Sequence, residues 1–554
     1  MEKKWWHDKV AYQIYPKSFC DTNGDGIGDL RGIINKLDYL KELGIDILWL
    51  SPIYASPFVD EGYDISDYYK IAPEFGTMED FDELLEETKK RGMYLIMDLV
   101  VNHCSDKHEW FQKALAEPDG KYADYFYFVK GKNGNPPSNY RSYFGGSAWE
   151  PIPGTDKYYL HMFAKEQPDL NWENPTVKQK IYDMVNWWLN KGVAGFRIDA
   201  IINIKKDTAF PSFPPDGNDG LAAVSKMIDE VSGVGELLEE LKEHTFAKQD
   251  AFTVAEVFNM KEDELREFVG ESGHFSTMFD FSAECVAGNR TWLDTSPVDF
   301  HALRNAVFAS QLKCQDICFL ANIIENHDEP RGASRFLPDY AQNEAGVKML
   351  ATVNLLLRGI PFLYQGQEIG MRNCPMGSIE DYDDIGTKNQ YTAALADGVS
   401  AEDALNACFH KSRDNARTPM QWCSSVNSGF TSGKPWLKVN PNYTEINVAE
   451  QTGRADSVLN YYRRLIALHK SDRWKEVFTE GRFAPAYQDQ PSVFAYYRKV
   501  GDTCVLVAAN FGVDSVTLPL IAPAEELLLK NMEAVKSIGT NLLLPSCSSA
   551  VIAF

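Results

Sequence analysis

Strand-like and helix-like segments alternate along most of this chain, and that order constrains its fold more than any other feature. Candidate strands fall at residues 10–15, 45–50, 94–101, 195–199, 252–256, 277–281, 319–325 and 361–364. Several are unbroken apolar runs, as parallel strands buried on both faces require. Amphipathic stretches lie between them, among them 30–43, 79–91, 175–191 and 343–358. Eight strands, each followed by a helix, predict an α/β fold of the (β/α)8 TIM-barrel type.

Two stretches break the pattern. Residues 104–173, after the third strand, are rich in Tyr, Trp, Gly, Pro and Asn, and predict an inserted domain. From 474 to 554 only strands follow, at 492–498, 503–510, 514–519 and 550–554, which predicts a C-terminal antiparallel β-sandwich domain. The barrel is thus expected over 1–103 and 174–473, with an irregular insertion at 371–435.

Composition excludes whole classes of function. Lys and Arg total 55 against 79 Asp and Glu, a net charge of −24. Nucleic acid and anionic membranes need cationic surfaces, so neither is an expected partner. No apolar run of ~20 residues is present and the first residues carry no leader-like segment, so a cytoplasmic protein is expected. The ten cysteines are scattered, with no disulfide framework and no zinc spacing.

In such a barrel the chemistry sits at the C-terminal ends of the strands. The third strand ends Asp98-Leu99-Val100-Val101-Asn102-His103 and the fourth Arg197-Ile198-Asp199. The fifth ends at Glu256, the seventh at Asn326-His327-Asp328, and the eighth runs into Gln367-Glu368. One such residue reads as a salt bridge; the same position filled five times reads as a site. Arg197 and Asp199 face the same way on a strand, so the guanidinium is expected to keep Asp199 ionised. Glu256 has no cation beside it in sequence, so burial is expected to raise its pKa and suit it to donate a proton. Two carboxyls flanking one bond is the arrangement for glycoside cleavage, and a separation of ~5–5.5 Å gives retention. Aromatic residues, which pack on the CH faces of sugars, crowd the insertion: Tyr122, Tyr125, Phe126, Tyr127, Phe128, Tyr140, Tyr143, Phe144, Trp149, Tyr158, Tyr159, Phe163 and Trp172. Many of them must form that unit's own core.

Four motifs in order resemble the α-amylase superfamily: DLVVNH at 98–103, GFRIDA at 195–200, Glu256 after an apolar strand, and NHD at 326–328. QPDLNW at 167–172, RDNARTPMQW at 413–422 and NPNYTEINV at 440–448 look most like its oligo-1,6-glucosidase and α-glucosidase branch. The resemblance implies a retaining, exo-acting hydrolase of small oligosaccharides. It implies Asp199 as nucleophile, Glu256 as general acid/base and Asp328 as transition-state stabiliser. His103 and His327 are the implied hydroxyl-binding histidines, and Arg197 is the strand-four arginine. Asp60, Tyr63 and Arg417 are implied to close the glucose pocket, with Phe163 and Gln167 also lining it. Trp172 is a candidate platform for the leaving sugar, with core packing as the equal alternative. In this branch valine after the nucleophile tends to accompany α-1,6 cleavage and alanine α-1,4, so Ala200 implies dual activity. Glu329 stands where relatives often carry Gln.

The loop 21–29, DTNGDGIGD, places oxygen ligands at Asp21, Asn23, Asp25 and Asp29, with a carbonyl at Ile27. The glutamate that completes an EF-hand is absent, since position 12 is Gly32. The resemblance implies a structural Ca2+ (or Mg2+) here, far from catalysis, and no organic cofactor. Three rivals stand beside hydrolysis. The first, a sucrose isomerase or transglucosylase, is disfavoured by residues 329–335, which lack an arginine-rich loop. The second is a trehalose-6-phosphate hydrolase, to which the net charge gives no help. The third is a non-catalytic relative, disfavoured by the presence of all three acids.

Overall fold

The computed structural model describes residues 3–257, 264–288 and 290–554. Eight strands close into a parallel barrel: β1 (Ala11–Ile14), β2 (Ile47–Leu50), β3 (Tyr94–Leu99), β4 (Gly195–Ile198), β5 (Phe252–Ala255), β6 (Thr277–Asp280), β7 (Ala321–Asn322) and β8 (Ile360–Tyr364). Each pairs with its sequence neighbours and β8 returns to β1. Every residue of β1, β2 and β4 is buried, which is why these segments are mostly apolar, with only Gln13 and Arg197 as polar exceptions. Ile47, Trp49, Ile96, Phe279 and Phe362 pack together inside the barrel, so it is a filled core and not a channel.

The helix Pro175–Lys191 shows how local sequence sets these elements. Asn174 caps it by accepting from the Thr176 amide, Pro175 opens the first turn, and Gly192 ends it with φ at 118°. Val177, Ile181, Met184, Val185 and Trp188, at three- and four-residue spacing, form its buried face. Removing the Asn174 cap would cost about 1 kcal/mol. Residues 30–43, expected as one helix, form two, Leu30–Asn35 and Leu37–Leu43, broken at Lys36. The insertion after β8, expected to be irregular, contains the helices Ile385–Ala396 and Ala401–Lys411. The apolar side chains of the first do not gather on one face, so its sequence shows little helical periodicity.

Between β3 and Pro175 lies a three-stranded antiparallel sheet of Phe128–Lys130, Lys157–Leu160 and Trp149–Pro151. Its small core of Tyr127, Tyr140, Trp149 and Leu160 is completed by Phe210, Val224, Met227 and Ile228, which follow β4. After the helix Val458–Lys470 the chain forms antiparallel sheets of five and three strands, with Ala495, Leu506, Ala508 and Ile552 packed on Leu518, Leu542 and Leu544. Among the described residues no helix is long and apolar enough to cross a membrane.

Candidate active site

The C-terminal ends of the strands bring the acidic residues to one place. Arg197, inside β4 and 1% exposed, is the centre of the arrangement. Its Nη1 lies 2.7 Å from both Asp98 and Asp199, and its Nη2 lies 2.7 Å from Glu256. The second Glu256 oxygen accepts from the Ala200 amide at 3.0 Å. Ala200 reaches this position with φ at 42°, in the left-handed region.

This corrects the expectation that Glu256 has no cation while Arg197 holds Asp199 low. One guanidinium serves three carboxyl groups. Burial, with the repulsion among the acids, pushes Asp199 and Glu256 above the usual carboxylate range against the pull of Arg197. Burial does the same to Asp98. Three acids against one fixed cation favour a state in which a proton stays in the cluster.

Asp328 is the opposite case. Burial would raise it, but the His327 ring N–H and the Arg413 and Arg417 guanidiniums hold it well below the usual carboxylate range. Arg417 donates to it at 2.9 Å and Arg413 at 3.1 Å. Arg413 also reaches Asp60 at 3.2 Å and Asp384 at 2.6 Å. Sequence reasoning took Arg417 from this motif and passed over Arg413, the residue that joins Asp60 to Asp328.

A cavity of about 300 Å³ opens over these groups. Asp60, Tyr63, His103, Phe163, Asp199, Ala200, Glu256 and Asp328 line it, as does Arg413. Arg197, Gln167, His327 and Arg417 are buried behind this lining and brace it. Gln167 donates to Asp60 at 3.0 Å and meets His103 at 3.1 Å. Gln13 donates to Nδ1 of His327 at 2.8 Å, which leaves Nε2 to face Asp328 at 3.0 Å. Burial lowers the His327 pKa to about 3, so the ring is neutral, and it lowers that of His103 too. Tyr63 stacks on His327 at 5.2 Å and donates to Asp98 at 3.0 Å.

Trp172 does not belong to the site. It is 0% exposed, packs in the barrel core and donates from Nε1 to the Val101 carbonyl at 2.8 Å. The reason is that buried indoles need a partner, and the end of β3 supplies one. The aromatic wall is instead Phe163 with Tyr143, at 5.0 Å between rings, and Phe144, over which the Arg413 guanidinium lies at 5.2 Å. Tyr143 and Phe144 belong to the aromatic crowd of the insertion, where no sequence pattern separates lining from core.

None of the loop 21–29 lines this cavity. Asp21, Asn23 and Asp25 each accept from backbone amides two to five residues on, and Asp29 caps the helix Leu30–Asn35 through the Gly32 amide. Its donor set is all oxygen, which suits a hard cation. Among the described residues no group of three or more His, Cys, Asp or Glu side chains is arranged to hold a metal.

A closed parallel barrel whose strand ends gather three such acids around a small cavity defines a barrel glycoside hydrolase. The family profile "Alpha amylase, catalytic domain" matches residues 13–479. The chain is 44% identical over 540 residues to an oligo-1,6-glucosidase of Bacillus cereus, covering 96% of each. It is 41% identical to a trehalose-6-phosphate hydrolase of Bacillus subtilis, covering 98% of this chain and 97% of that protein. An isomaltulose synthase crystal structure from Klebsiella sp. superposes with a TM-score of 0.94 at 38% identity, covering 100% of both chains. The chain belongs to the α-amylase family.

Proposed function

We propose that this enzyme is a retaining, exo-acting α-glucosidase. It hydrolyses terminal non-reducing α-1,6 bonds, and α-1,4 bonds, of short oligosaccharides such as isomaltose, and releases α-glucose. The observation that carries the reading is Arg197, which holds Asp199 and Glu256 on its two terminal nitrogens at the floor of the cavity. Arg413, bridging Asp60 and Asp328, closes one end of that cavity, and a closed end admits a single terminal sugar.

In the first step an Asp199 oxygen attacks C1 of the glucosyl unit. The bond from C1 to the glycosidic oxygen breaks, and Glu256 gives that oxygen its proton. The product is a glucosyl ester on Asp199 and a free leaving sugar. In the second step the Glu256 carboxylate takes a proton from water, the water oxygen attacks C1, and Asp199 leaves as carboxylate. Two inversions give net retention. The proton that three acids share around Arg197 is, in this reading, the one that Glu256 donates. Asp328, kept anionic, binds hydroxyls of the distorted ring and stabilises its positive charge. The relative at 44% identity is named an oligo-1,6-glucosidase, while the isomaltulose synthase stands at 38%, which supports water as the acceptor in preference to a second sugar.

Proton NMR during isomaltose, panose and maltose cleavage tests this: α-glucose appears first. Initial β-glucose, or cleavage of maltose with isomaltose and panose untouched, would overturn it.

We place a structural Ca2+ or Mg2+ at the loop 21–29, held by oxygens of Asp21, Asn23, Asp25, Ile27 and Asp29. Chelation is expected to lower the melting temperature, and Asp21→Ala to abolish that effect. Ten free cysteines fit a reducing compartment such as the cytoplasm.

A further inference from the structure

The cavity is not chemically uniform along its length. The end closed by Arg413 carries Asp60, Asp328 and His103. Beyond the acids and the aromatic wall, the lining comes from the chain after β4: Ile202, Asn203, Ser225, Ile228 and Asp229. Ser225, Ile228 and Asp229 share one face of the short helix Ser225–Glu230, at three- and four-residue spacing. Tyr143 fixes Asn203 by donating to its Oδ1 at 3.2 Å. With one end closed, the bond that Glu256 protonates opens toward this segment, so these residues meet the leaving sugar.

Asp229 is exposed, and among the described residues no ion pair engages its carboxylate. Arg413 is the one lysine or arginine among the described residues lining the cavity. Its guanidinium already faces Asp60, Asp328 and Asp384. Among the described residues the leaving end therefore offers an acceptor for hydroxyl groups, two isoleucines for a CH face and no cation for an anion.

We propose that Asp229 is a specificity-determining residue that accepts hydroxyl hydrogen bonds from an uncharged leaving sugar and turns away a phosphorylated one. Negative charge beside the scissile bond repels phosphate as well as binding hydroxyls, so one residue supplies both attraction and exclusion. This rests on the glucosidase reading above.

The test compares Asp229→Ala and Asp229→Lys with the unaltered protein on isomaltose and on p-nitrophenyl α-glucoside, which has no leaving sugar. Trehalose 6-phosphate is added as competitor. For Asp229→Ala, kcat/KM on isomaltose is expected to fall roughly tenfold more than on the aryl glucoside. For Asp229→Lys, the inhibition constant of trehalose 6-phosphate is expected to drop roughly tenfold. Equal losses on both substrates in Asp229→Ala would overturn the assignment. So would trehalose 6-phosphate cleaved by the unaltered protein as fast as isomaltose. Failure of the unaltered, folded protein to cleave either glucoside would instead overturn the glucosidase reading itself.

Discussion

Asp60 and Asp328, far apart in sequence, are held together by one side chain, with Arg413 at 3.2 Å from the first and 3.1 Å from the second. The planar guanidinium serves both through separate nitrogens, which a lysine cannot do. Arg413→Lys is expected to lower kcat/KM for isomaltose roughly 100-fold. Thermal melting, run beside the kinetics, is expected to show a folded protein.

Glu256 is predicted to matter in proportion to the leaving group's need for a proton. Glu256→Gln keeps the shape but has no proton to give, so isomaltose hydrolysis falls roughly 1000-fold. A dinitrophenyl α-glucoside leaves without protonation. Stopped-flow traces should then show a burst followed by slow turnover, because the base for the second step is also gone. A Gln variant with no burst on the dinitrophenyl substrate would remove the acid role from Glu256.

Ala200 sits with φ at 42° and gives its amide to Glu256. A β-branched side chain is strained there, so Ala200→Val is expected to cost about 1–3 kcal/mol and to melt lower. The added methyl groups narrow the cavity beside the nucleophile. The isomaltose-to-maltose ratio of kcat/KM should rise, and a falling ratio would disprove the linkage role.

His469 contributes to the pH dependence of stability. It is 1% exposed, and among the described residues neither ring nitrogen has a hydrogen-bond partner. Burial, with Arg498 and Lys470 nearby, lowers its pKa to about 3. Between pH 6.5 and 3 the unfolded chain takes a proton that the folded chain refuses. Stability from this residue is therefore full above pH 6.5 and lost as pH falls toward 3, by about 1.4 kcal/mol per pH unit. Urea unfolding at pH 7, 5.5 and 4 should show a shallower decline for His469→Leu than for the unaltered protein.

The barrel and its acids were legible because each strand is short, apolar and ended by a polar residue, a pattern that survives without three-dimensional knowledge. Asp199 and Glu256 directly follow the ends of β4 and β5, and Asp328 lies in the loop after β7, so the topology places them. Arg413 was not legible. It lies one helical turn from Arg417, and both reach Asp328; only the packing of Asp60 across the cavity separates their roles. The partner of Glu256 was hidden because Arg197 is remote in sequence, and adjacency between β4 and β5 supplies the contact. Trp172 shows the limit of motif reading, since the same ring serves a sugar or a core and the Val101 carbonyl decides.

The small core of the inserted sheet borrows Phe210, Val224, Met227 and Ile228 from the segment after β4. These two stretches therefore pack as a single unit. A chimera that transplants residues 104–173 alone from a relative would meet a foreign complement, whereas one that moves 202–229 with it carries its own packing and its own leaving-sugar wall. Recombination among such enzymes should respect that pairing, and new leaving-group preferences should arrive as two linked blocks of sequence.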